Sequence, residues 1–321
     1  MSETKPVILK IGGSVITDKN GDLAAKTEVI NRLAEEIAKA NVKNLIVVHG
    51  GGSFGHPTAQ KHGIKAGFRH DGQRLGFAET HHVMTVLNGL VMDAFVWHEI
   101  PAVSIAPSSC VITENGRIKQ FEDAAFRVLL KMEFTPVLYG DTTVDEKLGF
   151  TVLSGDQLVT YLALKFNACK IIMAVDTDGL YDADPKADKN AKLYTHLTLV
   201  ELKKIQENLT KISEGAQSSG LKEGETVRLK CTYPNCGYEW NYGGKQPFYA
   251  NCPKCLRKIK IDKSMIKLDA ADVTGRMLGK LTELLPAVEK GIPVSIVNGA
   301  KPSRVYQALI GEKVEGTVIE K

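Results

Sequence analysis

Short apolar runs rich in β-branched residues alternate along this chain with segments whose apolar residues recur every three or four positions. The strand candidates are Val7 to Ile11, Leu45 to Val48, Ala102 to Ala106, Thr135 to Tyr139, Lys170 to Val175 and Pro293 to Val297. The helix candidates are Thr27 to Ala40, Ala78 to His98, Gly155 to Asn167 and Gly275 to Lys290. That rhythm predicts an α/β architecture, a mostly parallel open sheet sandwiched between helices. Asp145 to Thr151, bracketed by Val144 and Val152, reads instead as a β-hairpin.

The pattern breaks between about Lys211 and Lys267. There Ser-Glu-Gly and Ser-Ser-Gly tracts precede four clustered cysteines, and a Lys/Ile alternation follows them. An inserted module over residues 213–267, within a main domain made of 1–212 and 268–321, is the simplest reading. Charge marks the same segment: from Leu221 to Lys263 nine Lys or Arg stand against four Asp or Glu. The whole chain of 321 residues, 43% hydrophobic, carries a formal charge of only +4. Its polar first residues lack the basic and apolar regions of a secretory signal, and no apolar stretch approaches the ~20 residues that span a bilayer. A soluble, cytoplasmic protein with no membrane partner is expected.

Chemistry gathers at strand ends. The first strand runs into Lys10-Ile11-Gly12-Gly13-Ser14 and the second into His49-Gly50-Gly51-Gly52-Ser53-Phe54-Gly55-His56. Ligands of open α/β sheets collect at the carboxyl ends of strands, where glycines let backbone N–H groups approach phosphate oxygens. Two such loops on consecutive strands favour a polyphosphate. Gly50, Gly52 and Gly55 also satisfy G-x-G-x-x-G, which makes an NAD-dependent enzyme a rival. That fingerprint normally follows the first strand, however, and here the first strand carries a different loop with a lysine embedded in it. No G-x-x-x-x-G-K-[ST] is present, which argues against a P-loop enzyme.

Lys10 to Ser14, Lys19, the His49 to Pro57 loop, Tyr139-Gly-Asp141, Ser154-Gly-Asp-Gln157, Asp176-Thr-Asp-Gly-Leu-Tyr181, and Asp272-Val-Thr-Gly275 with Lys280 together resemble the archaeal type of isopentenyl phosphate kinase. The resemblance runs over roughly residues 5 to 210 and 268 to 319. It implies the amino-acid kinase fold, with the N-terminal half binding the acceptor and the C-terminal half binding ATP, and a homodimer. It assigns Lys10, Gly12, Gly13, Ser14, Gly51, Asp176, Asp178, Gly179, Tyr181, Gly275 and Lys280 to ATP. To the acceptor it assigns Gly50, Gly55, His56, Gly155 and Asp156. A histidine at position 56 is implied for kinases of isopentenyl phosphate and fosfomycin, and not for those of acetylglutamate or aspartate. One departure is Arg276, where the family commonly has a second glycine.

The chemistry fits these assignments. A phosphate monoester is already an anionic nucleophile, so its kinase needs no general base but does need positive charge and alignment. Lys10 and Lys19 can bridge the β- and γ-phosphates of an ATP·Mg²⁺ complex, and Lys280, read as lying near a helix start, can reach the transferring group. His56 can donate to the acceptor phosphate. Asp141 and Asp156 each follow a glycine at a strand end or helix start, where a carboxylate can orient a catalytic lysine; Asp141 is expected in that part. A helix cap is the plainer reading of Asp156. His49 receives no catalytic part. Phe77, Val83, Met84, Leu87 and Tyr139 are candidates for contact with an isoprenoid tail, and equally for ordinary core.

Cys231-x4-Cys236 and Cys252-x2-Cys255, 15 residues apart, have the spacing of a zinc ribbon. Four thiolates close a tetrahedral Zn²⁺ site, so this ion is expected to be structural, with Trp240, Tyr242, Phe248 and Tyr249 supplying a small core. A folded spacer is favoured over a nucleic-acid-binding module here. Alternatives to the isopentenyl phosphate reading are a kinase of another small phosphate or phosphonate, and a zinc-ribbon nucleic-acid-binding protein with an inactive kinase domain.

Overall fold

The computed structural model describes residues 5–18, 21, 23–183, 185, 188–218, 227–231, 233, 236–242, 249–260 and 269–321, with the backbone alone for 211–218, 227, 228, 241, 260 and 269–278. The chain begins with β1 (Val7–Ile11), α1 (Gly13–Ile16), α2 (Thr27–Ala40), β2 (Leu45–His49), α3 (Gly52–Lys61), α4 (Gln73–Trp97) and β3 (Ala102–Ser104). It continues with α5 (Pro107–Cys110), β4 (Val111–Glu114), β5 (Arg117–Phe121), α6 (Ala124–Lys131), β6 (Thr135–Tyr139), β7 (Asp141–Asp145), β8 (Gly149–Leu153), α7 (Gly155–Lys165) and β9 (Lys170–Val175). Then follow β10 (Leu180–Tyr181), β11 (Leu193–Tyr194), β12 (His196–Thr198), α8 (Leu199–Ser218), β13 (Val227–Lys230), β14 (Glu239–Tyr242), β15 (Tyr249–Asn251) and β16 (Lys258–Lys260). Last come α9 (Asp269–Glu289), β17 (Val294–Asn298), α10 (Arg304–Ile310) and β18 (Gly316–Glu320). These form two compact units, one of Met1–Leu202 with Glu283–Lys321 and one of Lys203–Thr282.

The first unit is built on an eight-stranded sheet in the order β12-β18-β17-β9-β1-β2-β6-β3. Only the β17–β18 pair is antiparallel; the other six are parallel. β1 lies near its centre with all five positions buried. Because side chains alternate across a strand, Val7, Leu9 and Ile11 join the core that α2, α4 and α10 cover, while Ile8 and Lys10 face α7, which packs on β1, β2, β6 and β9. Helix α2 buries Ile30, Leu33, Ala34 and Ile37, a helical spacing, and stops at Asn41 in the left-handed conformation, φ 45°.

A second sheet of four strands, β5-β4-β7-β8, contains the expected hairpin as β7 and β8. Asp145 joins it to the neighbouring hairpin, accepting hydrogen bonds from Asn115, Gly116, Lys147 and Leu148 N–H at 2.7–3.1 Å. Burial alone would raise its pKa, but these amides outweigh it and hold the carboxyl at about 2.

Two helices depart from the sequence reading. α8 continues through Ser213-Glu214-Gly215 to Ser218, where the periodicity was expected to have ended near Lys211. α9 starts at Asp269 rather than Gly275. In both, a glycine sits inside a helix, where it costs roughly 1 kcal/mol relative to alanine without breaking it. Among the described residues no helix is long and apolar enough to cross a membrane.

Candidate active site

Four of the loops that leave the central strands at their carboxyl ends start by extending the ladder. Gly12 N–H donates to Ala174 O (2.8 Å), Gly50 N–H to Ile11 O (2.9 Å), Gly140 N–H to His49 O (3.0 Å) and Gly299 N–H to Val175 O (2.8 Å). The register that aligns Ile11 with both His49 and Ala174 thus sets the candidate residues along one sheet edge.

The two glycine loops interlock there. A Cβ at Gly13 would strike the backbone nitrogen of Gly52, and one at Gly50 would come within 2.8 Å of Gly13 N. Gly52 itself has φ +50°, so both the close approach and the conformation call for glycine. Thr17, which sequence reasoning missed, bridges the pair: its hydroxyl donates to Gly13 O (2.8 Å) and accepts from Ser53 N–H (3.1 Å). The buried Ser53 Oγ finds no hydrogen-bond partner among the described residues.

Lys10, 4% exposed, sends its ammonium to Asp156 Oδ1 at 2.7 Å. Asp156 stands in the first turn of α7, capped not by that aspartate but by Ser154, whose Oγ accepts Gln157 N–H at 3.1 Å. The carboxylate that meets Lys10 is thus Asp156, whereas Asp141 was the one expected to orient a lysine. Asp141 is buried elsewhere: its oxygens accept from Ser108 N–H (3.2 Å) and Thr142 N–H (2.8 Å) and face His81 Nδ1 at 3.0 and 3.2 Å. Burial pushes its carboxyl pKa up against the pull of His81 and Ser108. Gly155, the first residue of α7, lies so close to β2 that a Cβ would come within 3.4 Å of His49 O.

His49 is fully buried and stacked on Tyr139 with ring centroids 5.3 Å apart. Its Nε2 lies 3.2 Å from Asn88 Oδ1, and burial lowers its pKa to about 4. It is a neutral core histidine, as its strand-end position suggested.

On the other side of β1, the Asp176–Tyr181 loop meets the loop after β17. Asp178 accepts from Lys301 Nζ (2.6 Å), Asn298 Nδ2 (3.0 Å) and Tyr181 Oη (3.4 Å). Burial would raise its pKa, yet the Lys301 and Asn298 hydrogen bonds outweigh burial and hold it low. The Gly179 backbone is pressed against Thr317, whose hydroxyl accepts Leu180 N–H at 2.8 Å. The 299–306 segment is held in turn from α2. Arg32 donates to Gly299 O (2.5 Å) and pairs with Glu36, whose carboxylate accepts Ser303 N–H (2.9 Å) and Tyr306 N–H (3.0 Å). Neither Asn298, Lys301 nor this clamp carries a local sequence motif; only knowledge of which strands adjoin could have found them.

His56 projects from the second turn of α3 as an exposed side chain. Ser14 O, in the first loop, accepts from Lys26 Nζ at 3.3 Å, a cation that sequence reasoning overlooked. Lys19 lies outside the described residues. Gly275 and Lys280 belong to the second unit, and both are interior residues of α9, so Lys280 is mid-helix rather than near a helix start. Of the tail candidates, Met84, Leu87 and Tyr139 are core. Phe77 is half-buried and packs on Phe150, centroids 5.3 Å apart, with Ile64 and Ala59.

In the second unit, the antiparallel hairpins β13–β14 and β15–β16 each present two cysteines. The four sulfur atoms of Cys231, Cys236, Cys252 and Cys255 lie within 4.8 Å of one another. Cys231 and Cys255 are 3.6 Å apart and Cys236 and Cys252 3.7 Å, whereas a tetrahedral ion with bonds of about 2.3 Å requires about 3.8 Å between sulfurs. Leu229, Ala250 and Ile259 form the small core beside them, with Trp240 and Tyr242 packed against it. Phe248 lies outside the described residues.

A buried lysine paired with a half-buried carboxylate beside two glycine loops, with a second polar cluster two strands away, is the arrangement of a phosphoryl-transfer fold. The chain belongs to the amino acid kinase family, whose profile matches residues 5–227. Within it, the chain is similar to isopentenyl phosphate kinases. That of Methanothermobacter thermautotrophicus is 32% identical over 321 residues, 98% of each chain. That of Methanocaldococcus jannaschii is 40% identical over 200 residues, 57% of this chain and 75% of its own. A solved isopentenyl phosphate kinase superimposes with a TM-score of 0.71 at 30% identity, covering 98% of this chain and 99% of its own.

Proposed function

We propose that this protein transfers the γ-phosphoryl group of ATP to isopentenyl phosphate, giving isopentenyl diphosphate and ADP. The observation that carries the reading is the pairing of buried Lys10 with Asp156 beside the interlocked glycine loops, in a chain similar along almost its whole length to an isopentenyl phosphate kinase.

An oxygen of the acceptor phosphate attacks the γ-phosphorus while the bond to the bridging β,γ-oxygen breaks, and ADP departs with that oxygen. Both reactants are anions, so the task is charge neutralisation and alignment. Lys10, fixed by Asp156, meets the β- and γ-phosphates over Gly12, Gly13, Ser14 and Gly51, and Lys19 and Lys280 add further positive charge. Asp176, Asp178, Gly179, Tyr181 and Gly275 hold the nucleotide, and Mg²⁺ arrives bound to its phosphates. The buried Ser53 hydroxyl is a donor suited to a phosphate oxygen. Gly50, Gly55, Gly155 and Asp156 frame the acceptor phosphate, and His56 donates to it.

The cysteine cluster fits a structural Zn²⁺ through its donor set and sulfur spacing, in a ribbon inserted at residues 213–267 of an archaeal-type enzyme. Cytoplasmic location and a homodimer complete the reading.

Phosphorus NMR of the protein with Mg-ATP and isopentenyl phosphate tests it. Diphosphate resonances are expected with the wild type, with kcat/KM reduced roughly 10²- to 10³-fold in His56→Ala and turnover lost in Lys10→Met. ATP consumption with a different acceptor only would overturn the acceptor assignment and leave the kinase.

A further inference from the structure

The second hairpin of the cysteine unit presents more than a metal site needs. Between Tyr249 and Lys260 the charged residues are Lys254, Arg257, Lys258 and Lys260, with no acid among them. Lys254, Arg257 and Lys258 are exposed. Two tyrosines lie among them without being buried. Tyr249 is 42% exposed and Tyr233 36%. Arg257 covers one face of the Tyr233 ring, its guanidinium carbon 4.9 Å from the centroid, and Lys258 Nζ stands 4.5 Å from that of Tyr249. Tyr233 Oη also donates to Lys258 O at 3.4 Å, which ties the first knuckle to β16 and makes these groups one continuous face.

The ribbon core does not account for these residues, because Leu229, Trp240, Tyr242, Ala250 and Ile259 already fill it. A face built to pack on protein would be apolar at its centre and poor in lysine. Here each aromatic ring is paired with a cation instead, the combination that tracks a phosphodiester backbone while stacking its bases. The excess of nine basic over four acidic residues from Leu221 to Lys263 extends the same field beyond the hairpin.

We infer that this face, Tyr233, Tyr249, Lys254, Arg257 and Lys258, binds single-stranded nucleic acid, a function separate from phosphoryl transfer. Cations placed on one hairpin meet successive phosphates, and the tyrosine rings and the Arg257 plane receive bases. Stacking requires unpaired bases, so a duplex is the poorer ligand.

The test is fluorescence anisotropy of the zinc-loaded full chain with a labelled single-stranded oligouridylate of roughly 12 nucleotides, a duplex of the same length, and a polyglutamate peptide of matching charge. Saturable binding of the single strand is expected, with log K falling against log salt by about 0.7 per phosphate contacted. The triple variant Lys254→Gln, Arg257→Gln, Lys258→Gln should weaken binding tenfold or more and flatten the salt slope by about 2. The pair Tyr233→Ala, Tyr249→Ala should weaken it at least roughly fivefold with the slope kept. Zinc content and ATP turnover should be unchanged in both, which shows that the ribbon remains folded and separates this outcome from a failed kinase. Absence of binding, equal binding of the duplex or of polyglutamate, or binding indifferent to both variants overturns the inference; capture of an acidic protein surface is the alternative that the peptide arm detects.

Discussion

His49 shows how a residue in the middle of a site can be kept out of its chemistry. The imidazole lies between Tyr139 and Asn88 with no exposed surface, and its pKa of about 4 is well below the ordinary value of about 6.5. The folded protein keeps the ring neutral, whereas the unfolded chain takes up a proton first as pH falls. The stability this confers is fully present above about pH 6.5, declines as pH drops from there towards 4, and levels off below. The difference corresponds to on the order of 3 kcal/mol. Urea melts between pH 7.5 and 4 should show that decline in the wild type and a flatter profile in His49→Gln, whatever the variant's absolute stability. Equal slopes in the two proteins would assign the titration to another group. Lys10 behaves oppositely: its ammonium is buried beside a carboxylate that it meets directly, so the pair brings charge into the interior rather than excluding it.

At the scale of elements, α2 braces the Asp178 cluster at one remove. Arg32 and Glu36, one turn apart, grip the segment after β17 through Gly299, Ser303 and Tyr306, and that segment's Asn298 and Lys301 hold Asp178. Substituting Glu36→Ala leaves two amides without their acceptor, at about 1–3 kcal/mol. Arg32→Ala and Glu36→Gln should raise KM for ATP several-fold with KM for the acceptor unchanged, measured by varying each substrate in turn. Unchanged constants for both would reduce the clamp to a purely structural part. Sequence reading reached the strands and the glycine loops because period and glycine placement are local signals. It placed Lys10 in the site because a lysine inside an apolar strand is conspicuous. It could not tell which aspartate meets Lys10, since Asp141 and Asp156 have the same Gly-Asp context and only strand adjacency and the packing of α7 bring Asp156 to it. Asn298, Lys301, Arg32 and Glu36 stayed invisible for the same reason: each acts across a distance in sequence that no motif spans.

At the scale of the whole molecule, the described core beside the four cysteines is small next to that of the first unit. Among the described residues Leu229, Ala250 and Ile259, with Trp240 and Tyr242 beside them, form that core, a small apolar surface whose hairpins a bound metal would reinforce. One Zn²⁺ per chain is expected by elemental analysis. A strong chelator at neutral pH should shift the fluorescence of Trp240 as the ribbon unfolds, while Trp97, in the first unit and 81% exposed, changes little. Retention of the Trp240 signal after complete zinc loss would show that the hairpins stand without the ion.

The ladder that continues into the site loops bears on the time domain. The amides of Gly12, Gly50, Gly140 and Gly299 are the last rungs of the central sheet as well as the first residues of the loops around the candidate site. Their exchange with deuterated solvent is expected to follow opening of the sheet more closely than breathing of the loops. A floor tied into the sheet in this way is expected to move slowly, so the motions that admit substrate and release product are to be sought among the parts above it.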